Sequence, residues 1–295
     1  MKDNLVIFGP TASGKSSLAI ELAKKHRGEI INMDSMQIYR GMDVATAKPS
    51  ENEREMVPHH LFDLVEADED FTVFDYKILA LKTIDEIKRR GNCAILVGGT
   101  GLYLSSLYYD FDFRKRDDKK RQAIERLYKE GGTESLQQKV KENYPQLLEQ
   151  IDFENPHRLM RLLESGSVEN QKKRSMLPLT LIILESDRDL LNEKIRLRIE
   201  RMLQNGLTEE VEQVYSRYGQ REYLPALRGI GYKEYFPYLR GEVSLEEAKE
   251  RHHIATRQYA KRQRTWGRNQ YENPIFIQTN LSTEEKIKKI EEQWR

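Results

Sequence analysis

The chain has 295 residues, 38% hydrophobic and 33% charged, with a net charge of +1. That is a globular balance long enough for one large domain or two ordinary ones, and no apolar run approaches the roughly 18 residues that would span a bilayer. The short apolar start runs straight into a glycine loop rather than a small-residue cleavage site, and the single Cys93 cannot form an internal disulfide, so a reducing cytosolic compartment is expected.

Residues 4–8 form a short apolar run that ends at glycine, as a buried parallel strand does. Next comes Gly9-Pro10-Thr11-Ala12-Ser13-Gly14-Lys15-Ser16, which fits G-x-x-x-x-G-K-[ST] with a strand before it and a helix, 16–26, after it. Its glycines let backbone N–H groups turn around phosphate oxygens, and the helix adds its positive end. Lys15 is placed to reach the distal phosphate, and the Ser16 hydroxyl to sit on Mg²⁺. A plain glycine turn is the structural alternative. Kinases, ATPases, GTPases and some transferases share this loop, so it names a di- or triphosphate but no reaction.

A second strand, 29–33, leads into Asp34-Ser35-Met36-Gln37, which puts Asp34 at a carboxyl strand end beside the phosphate loop. A carboxylate there can bind Mg²⁺ or take a proton from a nucleophile; it can also simply cap the next segment. An amphipathic helix follows over 74–90, then a third strand, 94–97, ending in Gly98-Gly99-Thr100-Gly101. An ATPase usually ends that strand in an acidic residue that holds Mg²⁺. Small residues there would let a flat organic group approach the backbone, and Thr100 offers a hydroxyl; a tight strand-to-helix turn is the alternative. Strand–helix–strand order implies an α/β fold with a parallel sheet flanked by helices, of the P-loop NTPase type.

The texture changes near residue 109. The segment 114–175 lacks a convincing strand and reads as helices at 117–130, 133–143, 146–151 and 156–165, an all-helical insertion into a core made of 1–113 and 176–295. A strand at 179–185, helices at 189–204, 208–218 and 245–266, a short strand at 275–278 and a helix from 282 complete the chain. Charge is uneven: 1–110 hold 13 basic against 17 acidic residues, whereas 251–271 hold six basic residues and no acid. Arg257, Lys261, Arg264 and Arg268 recur on one helical face, with Tyr259 and Trp266 together on another. Such a basic face suits phosphate contact, although an ordinary solvated face with two core aromatics has the same pattern. His59 and His60, a pair with no clustered ligands, do not read as a metal site.

Together these motifs resemble the tRNA dimethylallyltransferase (tRNA isopentenyltransferase) family, in its bacterial form. The resemblance rests on the phosphate loop, Asp34-Ser35-Met36-Gln37-Ile38-Tyr39, Gly41-Met42-Asp43, Thr46-Ala47-Lys48-Pro49, Pro58-His59-His60-Leu61 with Asp63, and Gly98-Gly99-Thr100-Gly101-Leu102-Tyr103. It continues through Asn155-Pro156-His157-Arg158-Leu159 with Arg161, Gly229-Ile230-Gly231-Tyr232-Lys233-Glu234, and Thr256 to Gln263 with Thr265-Trp266. Two stretches depart from the family pattern: 108–118, and Leu227-Arg228 where Gln-Ala is usual.

The resemblance implies transfer of a dimethylallyl group from dimethylallyl diphosphate to N6 of the adenosine 3′ of the anticodon, position 37, in tRNAs reading UNN codons. It makes Asp34 the general base, with Thr100 holding the amine and Arg198 on the diphosphate, unless Arg198 is merely an exposed charge of its helix. The loop from Gly9 to Ser16 then grips the diphosphate rather than ATP, with Mg²⁺ on Ser16. Contacts to tRNA are implied for Asp34, Ser35, Met36, Gln37, Thr100, Arg121, His157, Arg158, Leu159, Met160 and Arg161, and for Arg257, Lys261 and Arg264 on the basic face. The insertion matches the family's anticodon-arm domain, and a cytoplasmic monomer is expected. A phosphate-loop kinase and a non-catalytic RNA-binding module are the competing readings.

Overall fold

In the computed structural model, residues 3–109, 118–166, 175 and 177–294 are described. Strand β1 (Asn4–Phe8) is buried along its whole length, as a strand covered on both faces must be. Helix α1 (Lys15–His26) follows the loop, buries Leu18, Ala19 and Leu22, and ends at Arg27 with φ 52°. Strand β2 (Gly28–Asn32) starts one residue earlier than its apolar pattern suggests. A short helix α2 (Glu51–Met56), closed by a Ser50–Glu53 capping box, and a two-residue strand β3 (His59–His60) come next. Neither is visible in the sequence pattern: one is barely two turns long, and the other pairs only at the sheet edge.

Helix α3 (Val73–Arg89), capped by Thr72 and Asp75, leads to β4 (Cys93–Gly98) and α4 (Gly101–Tyr108). The strands β5 (Leu179–Glu185) and β6 (Ile275–Gln278) complete a six-stranded sheet of order β3-β2-β4-β1-β5-β6, with every pairing parallel. This is the expected P-loop-like α/β fold. Because β4 lies between β1 and β2, the loops leaving their carboxyl ends meet at one edge of the sheet.

The chain divides into two compact units, 1–108 with 175–295, and 109–174. In the second, α5 (Asp118–Asn143) contains a break at Gly132, φ 63°, between the two expected helices. A 3₁₀ turn (Pro145–Gln150) and α6 (Pro156–Ser165) pack with it around Ile124, Leu136, Val140, Leu159, Leu162 and Leu163. The divergent residues 110–117 lie outside the described residues.

The first unit has a further core for which the sequence shows no element over 219–244. Tyr232, Tyr235 and Phe236 are fully buried with Ile38, Met42, Leu207 and Val211. Helices α7 (Arg188–Gln204), α8 (Leu207–Tyr218) and α10 (Leu245–Gln270) surround the sheet's functional edge, with the single turn α9 (Phe236–Leu239) between the last two. A last helix, α11 (Thr283–Gln293), closes a capping box at Ser282 and packs on α1.

Candidate active site

The phosphate loop bends through two left-handed residues, Ala12 at φ 60° and Gly14 at φ 82°. Gly14 adopts this conformation freely; Ala12 does so at a cost, a strain typical of ligand-binding turns. The Lys15 ammonium donates back to the Pro10 carbonyl at 2.6 Å, which folds the side chain over the loop.

The second loop is tied down from both sides. Asn32 accepts the Asp34 N–H at 2.9 Å and donates to the Asp34 and Leu61 carbonyls at 3.0 Å each. Asp34 Oδ1 accepts the Met36 N–H at 2.9 Å, so the carboxylate does cap the local turn, while its other oxygen makes no such bond among the described residues. Thr100 Oγ1 accepts the Ser35 N–H at 2.9 Å and donates to Ser35 Oγ at 3.3 Å, joining the second loop to the turn after β4.

Lys15, Ser16, Asp34, Ser35, Met36, Gln37 and Arg198 line one cavity of about 360 Å³, closed by Ile195, Ile199 and Met202 of α7, and by Thr256, Tyr259 and Gln263 of α10. Arg198 is thus half-buried and turned into the site, not an exposed helix charge. Burial pushes the Asp34 carboxyl up, against the Met36 N–H and the charges of Lys15 and Arg198. Burial and then Arg198 pull the Lys15 amine down to about 7, while Asp34 opposes the shift. Burial also lowers Arg198, again opposed by Asp34. One carboxylate facing two cations, beside an apolar wall, is a site for an anionic group with a hydrophobic tail.

The Gly-Gly-Thr-Gly turn is packed closely against the protein's own groups. A Cβ on Gly98 would lie 2.1 Å from the Met33 carbonyl, one on Gly99 1.9 Å from the Gln263 amide nitrogen, and one on Gly101 2.4 Å from the Trp266 indole. The glycines make room for the protein's own groups, and Gly98 also lines the cavity.

An IPP transferase family model matches residues 37–270. The chain belongs to that family. A tRNA dimethylallyltransferase of Acetivibrio thermocellus is 45% identical over 97% of this chain and 95% of its own length, and one of Bacillus cytotoxicus is 40% identical over 94% and 90%. Among solved structures, the tRNA isopentenylpyrophosphate transferase of Bacillus halodurans superposes with a TM-score of 0.75 at 37% identity, covering 99% of this chain and 95% of that one. A eukaryotic dimethylallyltransferase described as acting on tRNA gives a TM-score of 0.82 at 28% identity, covering 95% and 74%.

The remaining expected residues are spread more widely. Arg257, Lys261 and Arg264 line a separate groove of about 580 Å³ between α7 and α10, together with Arg188 and Arg268. Arg268 is paired with Glu185 at 2.7 Å. Tyr259 faces the cavity, whereas Trp266 lies over Gly101 and donates to Tyr271 Oη at 2.9 Å. In the second unit, Arg121 is engaged by Glu125 at 2.7 Å and Glu164 at 3.3 Å. Arg158 and Arg161 are exposed, Met160 is half-buried, and Leu159 is committed to that unit's core; the His157 side chain lies outside the described residues. Glu29 holds His60 at 2.6 Å, and no group of three metal-ligating residues occurs among the described residues.

Three residues that shape the site are not apparent from the sequence. Glu210 accepts the N–H groups of Asp43, Val44 and Ala45 at 2.7, 2.7 and 3.0 Å, and the Tyr232 hydroxyl at 2.7 Å, pinning the loop that bears Ala45, Thr46 and Ala47 into the cavity wall. Lys48, buried beneath the same loop, binds Asp43 and Asp63 at 2.6 and 2.5 Å. Gln263 joins α10 to both the phosphate loop and Gly99. Lys48 and Gln263 stand within recognisable motifs, but the partners of all three lie far away in the chain or across a loop.

Proposed function

We propose that this chain transfers a dimethylallyl group from dimethylallyl diphosphate to N6 of adenosine 37 in tRNAs reading UNN codons. The observation that carries this reading is the shared cavity of Lys15, Asp34 and Arg198 with an apolar wall of Ile195, Ile199 and Met202. The two cations and the loop amides suit a diphosphate, the wall suits a five-carbon prenyl group, and the carboxylate suits an amine that must lose a proton. Family membership and the names of the relatives support the same reaction.

The exocyclic amine of adenine is a weak nucleophile, because its lone pair is delocalised into the ring. In the transfer its nitrogen forms a bond to the allylic C1 as the C1–oxygen bond breaks and diphosphate departs. Asp34 takes the N6 proton, and Lys15 and Arg198 face the oxygens on which negative charge grows. Thr100 acts through Ser35, whose N–H it holds, and so sets the Asp34 loop against the amine. The base must leave the anticodon-loop stack to reach so enclosed a site.

Mg²⁺ fits this donor set only as a shared ion. Ser16 and Asp34 offer hard oxygens, but no group of three His, Cys, Asp or Glu side chains that could hold a metal occurs among the described residues, so diphosphate oxygens and water would complete its shell. Bound there, the ion would neutralise leaving-group charge. The basic groove at Arg257, Lys261 and Arg264 and the helical unit bearing Arg158 and Arg161 are the proposed surfaces for RNA phosphates. A tRNA substrate implies a cytoplasmic enzyme; no helix among the described residues is long and apolar enough to cross a membrane. The residues that line the cavity come from one chain, and a monomer is proposed. Incubating the protein with unmodified tRNA, dimethylallyl diphosphate and Mg²⁺, then digesting the RNA for nucleoside mass analysis, tests the reading. Prenylated adenosine is expected; ATP binding with no dimethylallyl diphosphate binding would replace it with a kinase.

A further inference from the structure

Gln263 sits on α10 with only 4% of its surface exposed. Its carbonyl oxygen accepts the Thr11 N–H at 2.8 Å, and its amide nitrogen donates to the Gly99 carbonyl at 3.0 Å. Thr11 belongs to the phosphate loop, and Gly99 belongs to the turn after β4. The next residue, Thr100, holds Ser35 beside Asp34. One amide therefore links the loop facing the diphosphate to the loop that carries the carboxylate, and both to the helix that carries Arg257, Lys261 and Arg264. Those three cations lie on a different face of α10, in their own groove.

Only a primary amide satisfies both ends. The Thr11 N–H needs an acceptor and the Gly99 carbonyl needs a donor, so glutamate would leave a carboxylate oxygen against a carbonyl. The fit is also steric: Gly99 lacks the Cβ that would come within 1.9 Å of the Gln263 nitrogen. Gly99 does not adopt a left-handed φ, so its glycine is required by Gln263 rather than by backbone conformation.

We infer that Gln263 is a positioning residue for the transfer: it fixes the distance between the donor's diphosphate loop and the Asp34 loop. The inference rests on the proposed reaction. Near-attack geometry is sensitive to shifts of about 1 Å, which can cost about 100-fold in rate. Loss of the clamp should therefore lower kcat strongly while leaving the KM for donor and for tRNA nearly unchanged, since Lys15, Arg198 and the basic groove remain.

The test is a double-mutant cycle on the full chain, with Gln263→Ala, Gly99→Ala and both together, read by steady-state prenylation of tRNA and by thermal melting. Each single variant should lose about 10- to 100-fold in kcat. Gly99→Ala should add little loss once Gln263 is alanine, because the nearest remaining atom beyond that side chain is the Gly9 carbonyl at 3.3 Å. Gln263→Glu should resemble Gln263→Ala in kcat. Wild-type turnover by Gln263→Ala, or a loss confined to the KM for tRNA, would overturn the role. So would a Gly99→Ala cost that is undiminished beside Gln263→Ala. If the wild-type protein forms no prenylated adenosine, the transfer reading falls and this role falls with it. An active wild type with an unaffected Gln263→Ala removes the positioning role alone.

Discussion

Changing Asp34 to asparagine removes one proton acceptor and one negative charge while leaving the side chain's shape intact. The Met36 N–H, accepted at 2.9 Å by Asp34 Oδ1, can be accepted by an asparagine oxygen, so the turn should survive. Losing a positioned general base costs about 10²- to 10⁴-fold in kcat, or about 2.7–5.5 kcal/mol of barrier. The lost charge leaves a second signature. The Lys15 amine stands at about 7 because burial and Arg198 lower it and Asp34 opposes them; without Asp34 it falls further. The amine attracts a diphosphate as ammonium, so wild-type kcat/KM for the donor should decline as pH rises past about 7. In Asp34→Asn that decline should begin at lower pH. The kcat profile reports the donor-bound enzyme, in which the diphosphate favours the ammonium, so its decline should lie at higher pH. Initial rates of tRNA prenylation across pH at constant ionic strength measure all of these quantities. Wild-type turnover by the variant would refute Asp34 as base, and an unmoved decline would refute its coupling to Lys15.

Lys15→Met should abolish donor binding by calorimetry yet stabilise the empty protein. The folded state depresses the amine from 10.5 to about 7, so its charge is penalised in full below pH 7 and the penalty fades as pH rises toward 10.5. Melting below pH 7 should show the gain; one on the order of 1 kcal/mol moves Tm by about 2–4 °C. Glu29 behaves in the opposite sense: burial raises its carboxyl, but hydrogen bonds from Arg90, Asn92 and His60 outweigh burial and hold it at about 2. Its stabilising contribution is therefore complete above pH 4.5 and lost as pH falls toward 2, and Glu29→Gln should flatten that part of the stability–pH curve measured by urea unfolding. Replacing Arg257, Lys261 and Arg264 together by alanine should weaken tRNA binding and reduce the slope of log K against log salt by about 0.7–0.9 for each phosphate that is no longer neutralised, without changing donor affinity.

The features legible from residue order are local. The phosphate loop is legible because a strand end, left-handed turn residues and a helix start all fall within Asn4 to Ser16. Asp34 is legible because it lies just past a strand end, and the broken helix at Gly132 because glycine interrupts its pattern. Periodicity also marks the basic face of α10, but it does not say which residues on the other faces are core and which line a cavity. That the three glycines at the end of β4 and in the turn after it admit Met33, Gln263 and Trp266 shows only in the packing. The tertiary structure also decided that Arg198 turns inward, and that Glu210 and Lys48 staple the 43–48 loop. Gln263 and Thr11 are 252 residues apart, and Glu210 and Val44 are 166 apart. Helical and strand patterns encode which face of an element is buried. Partners at such distances depend on strand order, because placing β4 between β1 and β2 brings their loops to one edge, where α7 and α10 can close over them.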